Sequence, residues 1–215
     1  MQDIVVFGAG GHSKVIIDII EREGKYSIIG LIDNYNRAES HFGYHILTDE
    51  IEVIMNNVYG GIIAIGDNWS RHVITDEIKS INPNFRFVSC ISPNSCIARE
   101  VEIGEGSAIM AGAVINSSTR IGKHCIINSN SSIDHDNIIG DFVSIAPNVT
   151  TGGNVIVGDH TAVGLGTNVI HRINIGCNTV IGAGSTVIRD IGSYVVAYGI
   201  PCKVVRKRNK EDKYL

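Results

Sequence analysis

Residues 103–127 read IGEGSA-IMAGAV-INSSTR-IGKHCI-I, and isoleucine returns at every sixth position. Extending that step from Ile91 to Val187 gives seventeen positions, of which sixteen are Ile or Val and only Thr151 is not. Nothing is inserted or deleted along the way. Four residues after each leading aliphatic lies a second set, mostly small or β-branched, such as Ser107, Ala113, Thr119, Val149 and Thr167. Asn137 and the larger Ile173 and Ile191 depart from it without breaking the register. A period of six suits neither a continuous helix nor a continuous exposed strand. It suits a short strand followed by a turn, with the aliphatic pointing inward and the small residue beside it. Three such units close a triangular coil, and coils stack at about the 4.8 Å inter-strand spacing into a prism about 27 Å tall. The backbone hydrogen bonds of such a prism run between coils, and its open ends need caps.

Upstream of the repeats the pattern changes. Residues 3–7 (DIVVF) read as a buried strand, followed by Gly8-Ala9-Gly10-Gly11-His12-Ser13-Lys14. Val15, Ile16, Ile19 and Ile20 then predict a helix with one apolar face. A second strand, SIIGLI, ends at Asp33-Asn34. After an irregular stretch come a short helix near 49–56 and a third strand, GIIAI, ending at Gly66-Asp67-Asn68. A helix at about 69–80 and a short strand at 86–89 lead into the prism. The βαβ alternation predicts a Rossmann-like α/β domain over residues 1–88, with ligands at the carboxyl ends of a parallel sheet. The β-helix domain then occupies 89–215.

The glycine loop has three readings. Asp33 falls where a ribose-binding acid of an NAD site would, but the pattern is G-x-G-x-x-S, without the third glycine that permits close helix–sheet packing. A plain strand-to-helix turn is the second. The preferred reading is that backbone N–H groups at the helix start hold a phosphate or a sugar hydroxyl.

Bulk properties narrow the partners. A net charge of −4 provides no basic face for nucleic acid. No apolar run approaches the length of a membrane span, and the N-terminus reads as a first strand rather than a leader. Five cysteines without CxxC spacing suit neither a disulfide framework nor a metal site, so a reducing cytoplasm is expected and no metal.

Units such as IGEGSA, IGDFVS, VGDHTA and IGAGST resemble the hexapeptide-repeat acyltransferases, which implies that the prism is a left-handed parallel β-helix. Gly199-Ile200-Pro201-Cys202-Lys203 resembles the G-x-P-A-K ending of that superfamily, with cysteine in the alanine place. A GAGGH loop, a small α/β domain and an uninterrupted prism together resemble the NeuD/PglD-like bacterial sugar acetyltransferases over essentially the whole chain. The resemblance implies an enzyme that uses acetyl-CoA to acetylate a nucleotide-linked sugar, working as a homotrimer with its active site between protomers.

Residue by residue, Asp134-His135-Asp136 followed by Ile139-Gly140-Asp141-Phe142 matches the family's catalytic stretch, which implies His135 as general base and Asp136 as its orienting partner. An outward histidine between two aspartates is equally compatible with plain solvated surface when the motif is read alone. Gly153 matches a backbone donor to the acetyl carbonyl. Ser144, Leu165 and Ala183 match coenzyme contacts, Ser144 standing where close relatives often carry histidine. Asn128 matches an acceptor-sugar contact, and Gly10, Gly11, His12, Asp33 and Asn34 match the nucleotide-sugar loop and base-recognising pair, with Asn34 in place of an acid. Asp67, Asn68 and Arg71 are further candidates for that pocket. Lys203, Arg206, Lys207 and Arg208 are candidates for the coenzyme phosphates or, equally, a solvated basic tail. His124 and His160 sit at turn positions and read as ordinary surface residues. The expected acceptor is an amino sugar; the alternatives are sugar O-acetylation and a non-catalytic nucleotide-sugar-binding trimer.

Overall fold

The computed structural model describes residues 1–48 and 51–213. It consists of a small α/β domain followed by a left-handed parallel β-helix. The α/β sheet is built from β1 (Gln2–Phe7), β2 (Tyr26–Ile32), β3 (Ser40–His41), β4 (Tyr44–Leu47) and β5 (Gly60–Ile63), in the order β3-β4-β2-β1-β5. β1 pairs in parallel with β2 and β5, and β4 in parallel with β2; only β3 runs antiparallel. The sequence predicted three strands and an irregular stretch where β3 and β4 form a hairpin. Its two turn residues, Phe42 and Gly43, both have positive φ (50° and 85°), as a tight hairpin turn requires. Phenylalanine in the left-handed region is a poor signal for such a turn, which is why pattern reading passes over it.

Helix α1 (Gly11–Glu23) starts inside the glycine loop, and Gly24 ends it in the left-handed conformation. Its buried face is Ser13, Ile16, Ile17, Ile19 and Ile20; Val15, expected to be on that face, is exposed. Helix α2 (Ile51–Asn57) matches the helix expected near 49–56, whose first two positions lie outside the described residues. Helix α3 (Asn68–Ile81) is capped by Asp67. The strand expected at 86–89 is reduced to one bridge, Phe87 with Gly61, because the chain there is already turning into the first coil.

From β6 (Cys90–Ile91) to β22 (Thr186–Val187) every element is a two-residue strand whose second residue is the leading residue of the six-step register. The register pairs residue i with i+18, as in Ile115 with Ile133 and Ile121 with Ile139. Three faces result. Face one runs through β6, β9, β12, β15, β18 and β21, face two through β7 to β22, and face three through β8 to β20. The leading aliphatics from Ile109 to Val187 lie in one continuous core, which Ile191, Ala197 and Cys202 extend toward the C-terminal end. The second set lies at the corners and is buried from Ser107 onward, with Ser107, Thr119, Thr161, Thr167 and Thr179 donating their hydroxyls to carbonyls of the next coil. This accounts for the hydroxyl residues of the set: they satisfy carbonyls that face into the packed prism at its turns, while valine fills the same repeat position elsewhere. Strands β23 (Val195–Tyr198) and β24 (Lys203–Lys207) form an antiparallel hairpin that closes the C-terminal end.

The two domains share apolar packing. Ile16, Ile17 and Ile20 of α1 belong to one cluster with Cys90, Ala108 and Ile126, the outward positions of face one. Equivalent outward positions on face three, Glu102, Arg120, Ile138 and Ile156, are exposed.

Candidate active site

His135 stands at the corner between faces two and three, two residues past the inward Ile133. Asp136, in the left-handed conformation (φ 57°), turns its carboxylate back onto the ring, with Oδ2 2.7 Å from His135 Nδ1. Asp134 accepts the backbone N–H of His135 at 2.8 Å. The Asp136 contact, reinforced by the charge of Asp134, raises the His135 pKa above the ordinary histidine value. Nδ1 is thereby committed, and Nε2 remains on an exposed ring. One coil on, Gly153 lies beneath the ring: a Cβ there would sit 2.6 Å from Cε1 and Nε2 of His135. Only glycine admits the imidazole at that height. The Gly153 N–H donates to no other group among the described residues.

A cavity of about 410 Å³ opens on face one beside the α/β domain. Asn128, Ser144, Leu165 and Ala183 line it from the prism, and His12 and Gly66 from the other domain. Four residues singled out in sequence at wide spacing therefore meet in one place. His12 lies here, away from the Asp33-Asn34 pair; burial and the nearby Arg71 cation lower its pKa to about 4, so it is neutral, and its buried Nε2 has no hydrogen-bond partner. Ser144 is held from behind, donating to Asn68 Oδ1 at 2.6 Å.

A second cavity, about 210 Å³, lies at the carboxyl ends of β1 and β2 between α2 and α3. Asp33, Asn34 and Tyr35 stand among its mostly aliphatic lining, with Glu77. Burial pushes the Asp33 carboxyl up, but the N–H groups of Ala9, Tyr35 and Asn36 outweigh it and hold the pKa below the usual range. That carboxylate therefore ties the β1 and β2 loops together, and Asn34 stands next to it in the cavity lining. Gly10 precedes α1 and Gly11 opens it, with no side chain capping the helix start.

Of three further candidates, one caps a helix and two bridge the domains. Asp67 caps α3 through Ser70. Asn68 donates to Thr161 O and accepts from Ser144 and Arg71. Arg71, only 1% exposed, donates to the carbonyls of Ile65, Gly66, His124 and Phe142. The candidates for coenzyme phosphates are divided: Arg206 and Arg208 both engage Asp212 of the tail, while Lys203 and Lys207 are exposed.

His124 and His160 are not ordinary surface residues. They stack on the two faces of Phe142 at 4.9 and 5.0 Å, and His72 of α3 meets His160 Nε2 at 3.1 Å through Nδ1. Their eighteen-residue spacing is visible in sequence, but that α3 covers this corner is not. Among the described residues no group of three or more His, Cys, Asp and Glu could hold a metal ion, and no helix is long and apolar enough to cross a membrane.

A triangular prism bearing a cavity against a small α/β domain defines the class of hexapeptide-repeat acyltransferases. Comparison with known proteins agrees: the PglD N-terminal domain matches residues 3–78, and the six-repeat bacterial transferase hexapeptide matches residues 100–135. A histidine-to-alanine variant of GDP-perosamine N-acetyltransferase from Caulobacter crescentus, solved with CoA and GDP-perosamine, superposes with a TM-score of 0.89. It is 30% identical, over 96% of this chain and 98% of that one. The acetyltransferase domain of PglB from Neisseria gonorrhoeae, solved with acetyl coenzyme A, superposes at 0.85 with 26% identity over 95% and 99%. UDP-N-acetylbacillosamine N-acetyltransferase of Bacillus subtilis is 33% identical over 116 residues, so the match spans about half of each chain (52% and 52%). The chain belongs to the NeuD/PglD-like family of acetyl-CoA-dependent sugar acetyltransferases.

Proposed function

We propose that this protein transfers an acetyl group from acetyl-CoA to the amino group of a nucleotide-linked amino sugar, with His135 as general base. The observation that carries the reading is the His135–Asp136 contact at 2.7 Å, which commits Nδ1 and leaves Nε2 to take a proton. In this scheme the amine attacks the thioester carbonyl and passes its proton to Nε2. The Gly153 N–H stabilises the oxygen as it gains charge, and the coenzyme leaves as a thiolate that collects the proton. Attack is direct, because the hydrogen-bond partners of the His135 ring and its N–H are Asp136 and Asp134, with no cysteine or serine nucleophile paired to that base among the described residues. An amine acceptor is favoured by the N-acetyltransferases named among the relatives.

The larger cavity would hold the acetyl-CoA arm against Ser144, Leu165 and Ala183, with Asn128 toward the acceptor sugar. The uncapped start of α1 at Gly10 and Gly11 suits the diphosphate, and the smaller cavity beside Asn34 suits the base. Within one protomer His135 and the larger cavity occupy different corners, which supports a homotrimer that brings one protomer's base to its neighbour's cavity. Free thiols and use of acetyl-CoA favour the cytoplasm. The test is a screen of UDP-, GDP- and dTDP-linked amino sugars, each with its hydroxy counterpart, following thiol release from acetyl-CoA. At least one amino sugar should be turned over, and preference for a hydroxy sugar would refute the amine. Sedimentation should give three times the protomer mass.

A further inference from the structure

Thr151 is the single polar residue among the seventeen leading positions, and Asn137 is the one amide among the corner residues. Both are buried in a prism that otherwise fills these places with aliphatic or small side chains. Both departures meet at one turn. Thr151, one coil beyond Ile133, accepts the backbone N–H of Asp134 on its hydroxyl at 3.3 Å. Asn137 donates Nδ2 to the carbonyls of Asp134 (2.8 Å), His135 (3.2 Å) and Gly152 (2.9 Å). The turn they grip carries His135, and the Gly152 carbonyl precedes the glycine beneath its ring.

Stability does not explain these choices. Valine fills the same corner one coil on, at Val155, and the same repeat position at the other two corners, at Val143 and Val149, each fully buried. Isoleucine or valine fills every leading position except that of Thr151. Asn137 leaves its Oδ1 buried without a hydrogen-bond partner among the described residues, a cost that offsets what its Nδ2 gains from the carbonyls. Polar residues that break a fold's own packing rule are expected where function, not folding, sets the requirement.

We propose that Thr151 and Asn137 are positioning residues: from inside the prism they lock the 134–137 turn so that His135 stays against Asp136 and above Gly153. The inference rests on His135 being the base. A base displaced by about 1 Å can lose up to about a hundredfold in rate, so a lock on its backbone has a measurable return.

The experiment compares Thr151→Val, Thr151→Ser and Asn137→Val with wild type and His135→Ala, using GDP-perosamine and acetyl-CoA as probes. Thr151→Val should lower kcat about 3- to 10-fold and Asn137→Val about 10- to 100-fold, with KM for both substrates within about twofold. The melting temperature of each should stay close to wild type, and Thr151→Ser, which keeps the hydroxyl, should keep the wild-type rate. In parallel, the His135 ring is titrated by NMR, which needs no acceptor: in both valine variants its pKa should move down toward the ordinary histidine value as the Asp136 contact loosens. Wild-type kcat and an unmoved titration in both valine variants, or losses that track a lower melting temperature, would overturn the lock. If His135→Ala itself keeps wild-type turnover, the base assignment falls first and the lock with it.

Discussion

Two corners of the prism share one backbone and differ completely in chemistry. One carries His135 and Asp136 between faces two and three; the other carries His124, Phe142 and His160 between faces three and one. Each corner places a residue in the left-handed conformation, Asp136 at φ 57° and His124 at φ 53°. The first corner is open, so carboxylates set its charge and the imidazole pKa rises. Helix α3 covers the second, where burial and then Arg71 lower the His124 pKa to about 4. The repeat therefore decides where a side chain stands, and the neighbouring domain decides what it can do there.

The largest test of that contrast is His135→Ala, which should reduce kcat by about 10²- to 10⁴-fold with little change in melting temperature, measured as thiol release. Arg71→Met should act the opposite way. Removing donors from four buried carbonyls is expected to destabilise the junction by about 3 kcal/mol, and calorimetry should resolve two transitions where wild type shows one. Gly153→Ala places a methyl against the His135 ring and should lower kcat by up to about a hundredfold while leaving stability near wild type.

Asp136→Asn is expected to cost about tenfold in kcat/KM and to shift the pH profile. As the proposed base, His135 must be unprotonated for activity, and its pKa is raised, so the acid limb of kcat/KM should lie above the ordinary histidine value. Losing the carboxylate should move that limb to lower pH. Stability has the opposite sign at the covered corner. A histidine depressed from 6.5 to about 4 binds fewer protons folded than unfolded, so stability is full above 6.5 and falls as pH drops toward 4. His124→Phe should flatten part of that loss in acid melts, the smallest of these effects. Equal acid sensitivity in that variant would argue against the covered corner as its source.

The seventeen strands, their inward residues and the His135 turn could be read from sequence because a strict period assigns each position one environment. The α/β domain was less legible. Its parallel strands and helices followed from apolar runs, but the Phe42-Gly43 hairpin did not. Asp67, Asn68 and Arg71 followed a strand end, as ligand-binding residues often do, yet their partners are a helix cap and the prism, up to ninety-three residues away in the chain.

Sequence alone determined the prism and the His135–Asp136 pair, since both depend on local spacing and on neighbours in the chain. Tertiary structure decided that His12 shares a cavity with Ser144, that Arg71 clamps the junction, and that His124 and His160 are covered by α3. Those outcomes depend on how α1 and α3 dock against the prism, a contact between distant segments that leaves no periodic trace.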